Sequence, residues 1–294
     1  MNIAVVGAGL AGLAVTWHLL KIGAEVTVFD FGEGASHAST GLLHPYPGKK
    51  ALKTHFADEG MQAALELLEL ASHERPCFEK NGILRYAVDD AQRTLFGRDS
   101  IFIKEGISVY SRVYLEELKK VCKNAKVINA PIQSIDELSM FDNSVITVGP
   151  ETSQFFDIPL KRTIGQSLVC CWKKRLPHAL LGGVHITPTE DPDYCQVGST
   201  YEYTSEPSKQ KALELIDRLE KIYPEARSLE IVEIRCGVRA SPKLGYMPIL
   251  RKMDRKTWVF TGLGSRGLIY HSLFARKLVY ALQFGSDSVN MSRL

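Results

Sequence analysis

A glycine-rich turn between two apolar segments near the start of the chain constrains the fold more than any other feature. Asn2 to Val6 predicts a short buried strand, and Gly7 to Gly12, with the sequence GAGLAG, follows it at once. Leu13 to Lys21 then has the apolar spacing of a helix. Glu25 to Phe29 alternates as a second strand and leads into Asp30. This order predicts a strand–helix–strand unit of the kind that binds dinucleotides.

Each part of this unit has a physical task. Gly7 permits the tight turn, Gly9 lets a pyrophosphate approach the backbone, and Gly12 lets the helix pack close to the strand. The start of the helix offers unpaired N–H groups and a partial positive charge to phosphates. The Asp30 carboxylate can accept hydrogen bonds from ribose hydroxyls. The unit alone is compatible with NAD and FAD, whereas an acid at position 30 disfavours NADP because it would repel the 2′-phosphate.

Small and hydroxylated residues dominate the next segment, 34–45, which has the sequence GASHASTGLLHP. It resembles the D-amino-acid oxidase and glycine oxidase family of flavoproteins, in which a small-residue run ends in Ala-Gly-(Met/Leu)-Leu after the second strand. The resemblance implies that this run contacts the diphosphate and ribityl chain of FAD and reaches the flavin ring. His37 does not fall where some relatives attach the flavin covalently, so non-covalent FAD is expected.

Further motifs follow in the order that the family has. They are Val145–Pro150, Thr163–Gln166, the pair His185–Pro188 and Val197–Glu202, Cys236–Arg239 and Phe260–Leu268. The last two are most similar to the flavin domain of the bifunctional tRNA wobble-uridine modification enzyme, which carries Gly-Val-Arg and a Gly-Ser-Arg-Gly-Leu loop. One departure is that the usual Asp-x-x-Pro after Gly-x-Arg is replaced by Lys243–Pro248, which contains no acid.

The resemblance implies an α/β fold, α+β overall, made of two interleaved domains. A Rossmann-type FAD-binding domain would comprise residues 1–50, 105–160 and 236–294. A smaller antiparallel-sheet substrate domain would comprise residues 51–104 and 161–235. Local patterns add a helix over Met61–His73, one from a cap at Ser205 to about Tyr223, and a last helix over His271–Gln283. Leu168–Trp172 and Glu230–Cys236 predict strands.

The residues expected to bind FAD lie in the glycine turn, at the end of the second strand, in the small-residue run, beside the returning strands and in the C-terminal loop. They are Gly7, Ala8, Gly9, Leu10, Ala11, Gly12, Asp30, Phe31, Ser36, Ala38, Ser39, Thr40, Gly41, Leu42, Leu43, Ile132, Val148, Gly149, Gly264, Ser265, Arg266, Gly267 and Leu268.

Arg239 is the first candidate for substrate binding. Its neighbours are small or apolar, so its guanidinium should be partly buried and in need of a partner. A substrate carboxylate is a bidentate partner for arginine, and the resemblance implies that Arg239 holds the carboxylate of an amino-acid-like substrate. The alternative is a structural salt bridge within the protein.

Three further residues are catalytic candidates, each with a structural alternative. Arg266, between glycines, could contact the flavin or a substrate carboxylate, or could be a surface arginine on a turn. His44 could touch the ring or accept a proton from the amine, or could support its loop before Pro45. Tyr246, and also Tyr203, could supply pocket hydroxyls or be rim aromatics.

Composition limits the partners. Lys plus Arg number 36 and Asp plus Glu 33, so the net charge is only +3 and does not argue for a nucleic-acid surface. Basic runs such as Lys49–Lys53 and Arg251–Lys256 are typical of solvated faces, with tRNA binding as a minority interpretation. No apolar run approaches the ~20 residues of a membrane helix. The six cysteines form no Cys-x-x-Cys pair, so we expect no metal site and a cytoplasmic protein with reduced thiols.

The resemblance predicts an FAD-dependent oxidoreductase that oxidises the C–N bond of a small amine or amino acid, glycine-like or D-amino acid, by hydride transfer to flavin. Oxygen or another acceptor would reoxidise the cofactor. An alternative is demodification of a carboxymethylaminomethyl-uridine in tRNA, which is weakened because the chain lacks a methyltransferase domain. A second alternative is an FAD-binding protein without turnover.

Overall fold

The computed structural model describes residues 1–32 and 34–285, and these ranges form six α-helices and sixteen strands. The helices are α1 Leu10–Lys21, α2 Ala57–Ala71, α3 Asp90–Phe96, α4 Ser111–Val121, α5 Lys209–Glu220 and α6 Gly267–Phe284. The strands are β1 Asn2–Val6, β2 Glu25–Phe29, β3 Leu42–Leu43, β4 Phe78–Glu79, β5 Ile83–Tyr86, β6 Ser100–Ile103, β7 Ile107–Val109, β8 Lys126–Ile128, β9 Asn143–Ile146, β10 Leu160–Cys171, β11 Ala179–Leu181, β12 His185–Pro188, β13 Tyr194–Gly198, β14 Glu230–Pro242, β15 Ile249–Lys252 and β16 Thr257–Thr261.

A six-stranded sheet with the order β15-β16-β9-β1-β2-β8 is built around the first strand of the chain. Its strands run parallel except β15, which pairs antiparallel with β16. Alternate residues of β1 enter two different cores: Ile3 and Val5 pack on the side of α1 and α6, and Ala4 and Val6 pack on the other side. Burial on both faces explains why the first strand is a continuous apolar run.

A second, seven-stranded sheet has the order β14-β10-β13-β12-β11-β5-β6 and is antiparallel except for the pair β11 and β5. Helix α5 packs against it through Leu215 and Leu219, which join a core with Leu168 and Val197. A small antiparallel sheet, β3-β7-β4, holds the end of the small-residue run. The predicted combination of a Rossmann-type α/β sheet with an antiparallel sheet is confirmed.

The division of the chain into domain segments stays a prediction. The strands of the six-stranded sheet all fall within 1–50, 105–160 and 236–285, and residues 286–294 of the predicted FAD domain lie outside the described residues. Strand β14 runs without a break across the predicted boundary at residue 236. Helix α2, placed in the substrate segment 51–104, packs in the same core as α1 and α6.

Several predicted element boundaries are wrong. Helix α5 is capped by Ser208 rather than Ser205, because the buried Glu202 carboxylate accepts a hydrogen bond from the Ser208 backbone N–H at 3.0 Å and holds that residue before the helix. The helix stops short of Tyr223, which is extended because a proline follows it. Helix α6 begins at Gly267 instead of His271.

Other elements differ in length from the predicted ranges. Helix α1 begins at Leu10 rather than Leu13, because Gly9 caps it. Strands β10 and β14 extend well beyond Leu168–Trp172 and Glu230–Cys236, since the two pair along almost their whole length. The segment Val145–Pro150 is strand only to Ile146, and a 3-10 helix begins at Gly149.

A buried hydrogen bond ties α4 to α6. The Tyr114 hydroxyl lies 2.6 Å from His271 Nε2, and His271 Nδ1 lies 2.9 Å from the Leu268 carbonyl oxygen. The carbonyl can only accept, so Nδ1 carries the proton and Nε2 accepts from the tyrosine. Burial, with a smaller effect of His18, lowers the pKa of His271 to about 4, so the ring is neutral at pH 7.

We predict that His271 makes the folded protein sensitive to acid. Its folded pKa lies below the unfolded value, so its contribution is present at pH 7 and is lost as the pH falls from about 6.5 through 4. Replacing His271 with Gln, which can still donate and accept, should remove about 2 kcal/mol of the loss of unfolding free energy between pH 7 and pH 5. Chemical denaturation at both pH values measures this, with exposed His73→Gln as the control. An unchanged pH dependence in His271→Gln contradicts the prediction.

Candidate active site

The carboxyl ends of four parallel strands meet at one edge of the six-stranded sheet. Gly7 follows β1, Asp30 follows β2, Thr147 follows β9 and Gly262 follows β16. Ligands of open α/β sheets bind outside this edge. The fold therefore brings together the glycine turn, the predicted ribose acid and the C-terminal loop, which are far apart in sequence.

The glycine turn is closely packed. Gly7 has a φ of +100°, and a Cβ on Gly12 would overlap the Gly7 carbonyl oxygen. Thr147, which sequence analysis did not single out, donates its hydroxyl to the Val6 and Gly7 carbonyl oxygens at 2.8 and 3.0 Å. Side chains larger than glycine would push α1 away from β1, so the turn keeps the helix N-terminus next to the sheet edge.

The predicted phosphate and ribose contacts converge on this turn. The Ala8 N–H donates to Asp30 Oδ1 at 2.9 Å, and the Leu10 N–H donates to Ser36 Oγ at 3.2 Å. Gly9 precedes α1 and offers no side-chain cap. A glycine cradle, an open helix start and an adjacent carboxylate fit the pyrophosphate and ribose of a dinucleotide.

The small-residue run crosses the second sheet on a face where glycines leave room for its backbone. A Cβ on Gly237 would lie 2.7 Å from Ala35 Cα, and one on Gly198 would lie 2.7 Å from Thr40 Cγ2. Hydroxyls fasten the run: Ser167 donates to the Ala38 carbonyl at 3.1 Å, and Thr187 donates to the Thr40 carbonyl at 2.7 Å. Backbone and sheet are thus in direct contact, so the run has a fixed height above the sheet.

The end of the run is held by β7. Gly41 has a φ of +75°, and a Cβ there would overlap the Val109 carbonyl oxygen. Leu42 and Leu43 form β3 beside β7, and the Ser39 hydroxyl accepts a hydrogen bond from the Gly41 N–H at 3.3 Å. Only glycine fits this approach, which explains its place before the two leucines.

The remaining predicted cofactor residues lie at different distances from the turn. Phe31 is exposed, and Ile132 and Val148 are partly buried in the core on the far side of the sheet. Ile132 also lines a cavity of about 410 Å³. The predicted C-terminal loop is a 3-10 helix over Gly264–Arg266, which includes Ser265, and Gly267 and Leu268 are already the first residues of α6.

Arg239 lies on β14 with its guanidinium on the same glycine-rich face. Its nitrogens donate to Ser199 Oγ at 2.9 Å and to the Thr200 carbonyl at 3.2 Å, and its carbon Cζ lies 4.8 Å from the centre of the Tyr201 ring. A Cβ on Gly165 would overlap the guanidinium. Among the described residues no carboxylate pairs with Arg239, so the predicted alternative of an internal salt bridge is not what the structure shows. Burial lowers the pKa of Arg239.

Arg266 also lacks a carboxylate partner within residues 1–32 and 34–285. Its Nε is buried without a hydrogen bond, and its Cζ lies 4.3 Å from the centre of the Tyr246 ring. Its Nη2 lies 3.5 Å from the position of a Cβ on Gly48. Tyr246 is otherwise largely exposed, as is Tyr203, whose ring lies instead beside Lys161.

His44 is buried and accepts a hydrogen bond at Nδ1 from the Tyr46 N–H at 3.3 Å. Burial, and then the charges of Arg85 and His185, lower the pKa of His44 to about 3. Arg85 itself is buried and donates to the Tyr46 and Gly48 carbonyl oxygens at 2.6 and 2.8 Å. His44 thus supports its loop, which was the structural alternative, while lying beside the run that ends in Leu43.

His185 is a site residue that sequence analysis did not single out. Its Nε2 is hydrogen-bonded to the Thr40 hydroxyl, and burial together with Arg239 and Arg218 lowers its pKa to about 4. Arg85, between Leu84 and Tyr86, was also overlooked. Arg85 could have been found as a charged residue that lies between apolar ones within a strand. His185 could have been found as a histidine at the start of a hairpin.

The site is therefore cationic. In the part of the chain that the structure describes, Arg85, Arg239 and Arg266 are all at least partly buried and none lies within ion-pair distance of a carboxylate. The same residues contain no group of His, Cys, Asp and Glu that could hold a metal ion. No helix among them is both long and apolar enough to span a membrane.

Comparison with known families places almost the whole sequence in one of them. Residues 2–130 and 99–281 match the DAO family, described as FAD dependent oxidoreductase. No curated protein matches the sequence.

Solved structures share this fold over nearly the full length. The iminodiacetate oxidase from Chelativorans sp. BNC1 superposes with a TM-score of 0.82 at 19% identity, covering 99% of this chain and 98% of that one. The glycine oxidase from Geobacillus kaustophilus gives 0.82 at 17% identity, with 95% and 93% covered. The L-proline dehydrogenase from P. horikoshii gives 0.80 at 16% identity, with 97% and 93% covered.

We predict that Gly12→Ala weakens FAD binding by at least about tenfold, because the added methyl group must displace the Gly7 carbonyl and open the turn. Titration of the apoprotein with FAD, followed by flavin fluorescence, measures the affinity. Gly34→Ala is the matched control, since a Cβ there meets nothing within 4 Å and its φ is outside the left-handed region. Equal affinities for FAD in the two variants would refute the assignment.

Proposed function

We propose that this chain, which belongs to the DAO family of FAD-dependent oxidoreductases, oxidises the carbon–nitrogen bond of a small amino acid or amine whose carboxylate is held by Arg239. The single observation that carries the proposal is a partly buried guanidinium on the glycine-rich face with no carboxylate partner among the described residues. The proteins of similar fold are enzymes of glycine, iminodiacetate and L-proline, which agrees with a small amino acid as substrate.

When bound, FAD would supply a two-electron acceptor for a hydride from the carbon next to the nitrogen, and water would hydrolyse the resulting imine to a carbonyl compound and ammonia or an amine. Oxygen or another acceptor would then remove the electrons. The task of the protein is to hold the substrate with its C–H bond towards the cofactor. A bidentate arginine–carboxylate pair does this because it fixes direction as well as distance.

The neighbours of Arg239 keep it available for this task. Ser199 Oγ and the Thr200 carbonyl occupy only part of its donors, and the Tyr201 ring covers one side of its plane. The lowered pKa values of His44 and His185 keep both rings uncharged at pH 7, so they do not repel an amine that arrives protonated. The amine itself must lose its proton before hydride transfer.

Glu202 keeps the strand end that carries Ser199 to Tyr201 in place. Its buried carboxylate accepts hydrogen bonds from Thr200 Oγ1 at 2.6 Å and Gln166 Nε2 at 2.7 Å. Burial would raise the pKa of Glu202, but these bonds and the Ser208 N–H outweigh it and lower the pKa below its usual value. The carboxylate is thus committed to the scaffold and leaves Arg239 for the substrate.

The proposal is tested by anaerobic incubation of the FAD-loaded protein with glycine, N-substituted glycines, proline and D-amino acids. At least one compound should bleach the absorbance of oxidised flavin and yield the matching carbonyl product. If none of the panel reduces the cofactor, the oxidoreductase assignment on small amino acids fails, and a role in binding FAD without turnover is favoured.

We predict that Arg239→Met raises the substrate concentration for half-maximal flavin reduction by about 100-fold, because a charge-assisted bidentate contact is lost. Arg239→Lys should lose less, since it keeps the charge but not the forked geometry. Rapid-mixing measurements of flavin reduction against substrate concentration give both values. Arg251→Met, at an exposed position on β15, is the control. A half-saturation unchanged by Arg239→Met would remove Arg239 from the substrate site.

A further inference from the structure

We propose that the substrate carries two carboxylates and that Arg266 binds the second one, opposite the carboxylate held by Arg239. The ligand class is an amino acid whose nitrogen or side chain bears a second carboxylate. This inference rests on the proposed function and narrows its substrate.

Arg266 has a donor that nothing in the described chain satisfies. Its Nε is buried without a partner, and neither of its Nη atoms donates a hydrogen bond to a residue in 1–32 or 34–285. The Tyr246 ring lies against the guanidinium at 4.3 Å, which fixes its plane but satisfies none of its N–H groups. A buried N–H without an acceptor is costly, so a bound anion is the expected partner.

A shortage of carboxylates does not explain why Arg239 and Arg266 have no carboxylate partner among the described residues. Exposed arginines of the same chain each take two carboxylates: Arg93 pairs with Asp90 and Asp99, and Arg227 pairs with Asp217 and Glu220. Solvation alone would favour the opposite arrangement, with carboxylates beside the buried arginines, because an exposed guanidinium is already solvated by water. Within the described residues, acids have been kept away from Arg239 and Arg266.

Direct packing brings the two arginines to one site. Ser241 follows Arg239 by two residues on β14, and Gly264 precedes Arg266 by two residues. A Cβ on Gly264 would lie 2.5 Å from Ser241 Oγ, so the segments that carry the two arginines are in contact two residues from each. Both guanidiniums are covered by the ring of an exposed tyrosine, Tyr201 for Arg239 and Tyr246 for Arg266.

Arg85 completes the arrangement as a positioning residue. Its guanidinium donates to the carbonyl oxygens of Tyr46 and Gly48, and a Cβ on Gly48 would lie 3.5 Å from Arg266 Nη2. Arg85 therefore fixes the 46–48 loop through its hydrogen bonds, and its positive charge adds to the electrostatic potential of the site. A ligand with one carboxylate would leave Arg266 unmatched, whereas a dianion would satisfy both free guanidiniums.

The test compares two ligands that cannot be oxidised at a nitrogen. Diglycolate has two carboxylates joined through an ether oxygen, and methoxyacetate is the matching compound with one. Their dissociation constants for the FAD-loaded protein are measured from the change in the visible flavin spectrum and by calorimetry. We expect diglycolate to bind at least about 10-fold more tightly, because it gains one charge-assisted contact.

Variants assign that preference to Arg266. Arg266→Met should weaken diglycolate until it binds about as well as methoxyacetate, with methoxyacetate itself unchanged. Arg239→Met should weaken both ligands, and Arg251→Met should weaken neither. Arg266→Gln, which keeps hydrogen-bond donors without the charge, is the second variant if Arg266→Met does not retain FAD. The expected loss for diglycolate is the same.

Four results would overturn the inference. Equal binding of diglycolate and methoxyacetate to the unaltered protein removes the second carboxylate, while the role of Arg239 stands if Arg239→Met still weakens both. Equal weakening of both ligands by Arg266→Met, or a shift of the flavin reduction potential without a change in ligand preference, assigns Arg266 to the cofactor. Binding of neither ligand, together with a cofactor that no amino acid reduces, rejects the proposed function as well.

Discussion

Parallel strands impose the constraint on which the rest of this structure depends. A chain that leaves one parallel strand must cross the sheet before it can enter the next, so all such strands end at the same edge. Gly7, Asp30 and Gly262 therefore meet although the sequence separates them widely. The second sheet, inserted between these crossings, comes to lie over that edge. Topology alone thus brings the glycine turn, Asp30 and Gly262 to one edge, before any side chain is considered.

The sequence predicted the parts of the site that depend on local backbone chemistry. The glycine turn, the second strand and the acid at Asp30 follow from spacing alone, and the resemblance supplied FAD and Arg239. Contacts between distant segments could not be predicted from the sequence. The start of α5 depends on the Glu202 carboxylate, and the bond between His185 and Thr40 joins a hairpin to the small-residue run. A local pattern can mark a single residue but not its distant partner, so both contacts were missed.

Electrostatics and burial act in opposite directions at this site. Removing a guanidinium from water is unfavourable, and pairing it with a protein carboxylate is the usual compensation. Arg85 is compensated by backbone carbonyls, and Arg239 only in part, by Ser199 and Thr200. Buried histidines held neutral do not add to the repulsion. Under the proposed function, an anionic substrate compensates this unfavourable burial of charge, and its binding stabilises the site.

The close approach of Gly237 to the small-residue run has a consequence for how substrate preference can change. At Gly237 main chain lies against the main chain of Ala35, so no side-chain rotamer can adjust the spacing between β14 and the small-residue run there. The distance between β14 and the small-residue run is therefore fixed by the backbone. Gly48 and Tyr246, which lie in loops near Arg266, can adjust more readily. An engineer seeking a longer or less charged substrate should vary those loops and leave the contact between Gly237 and Ala35 unchanged.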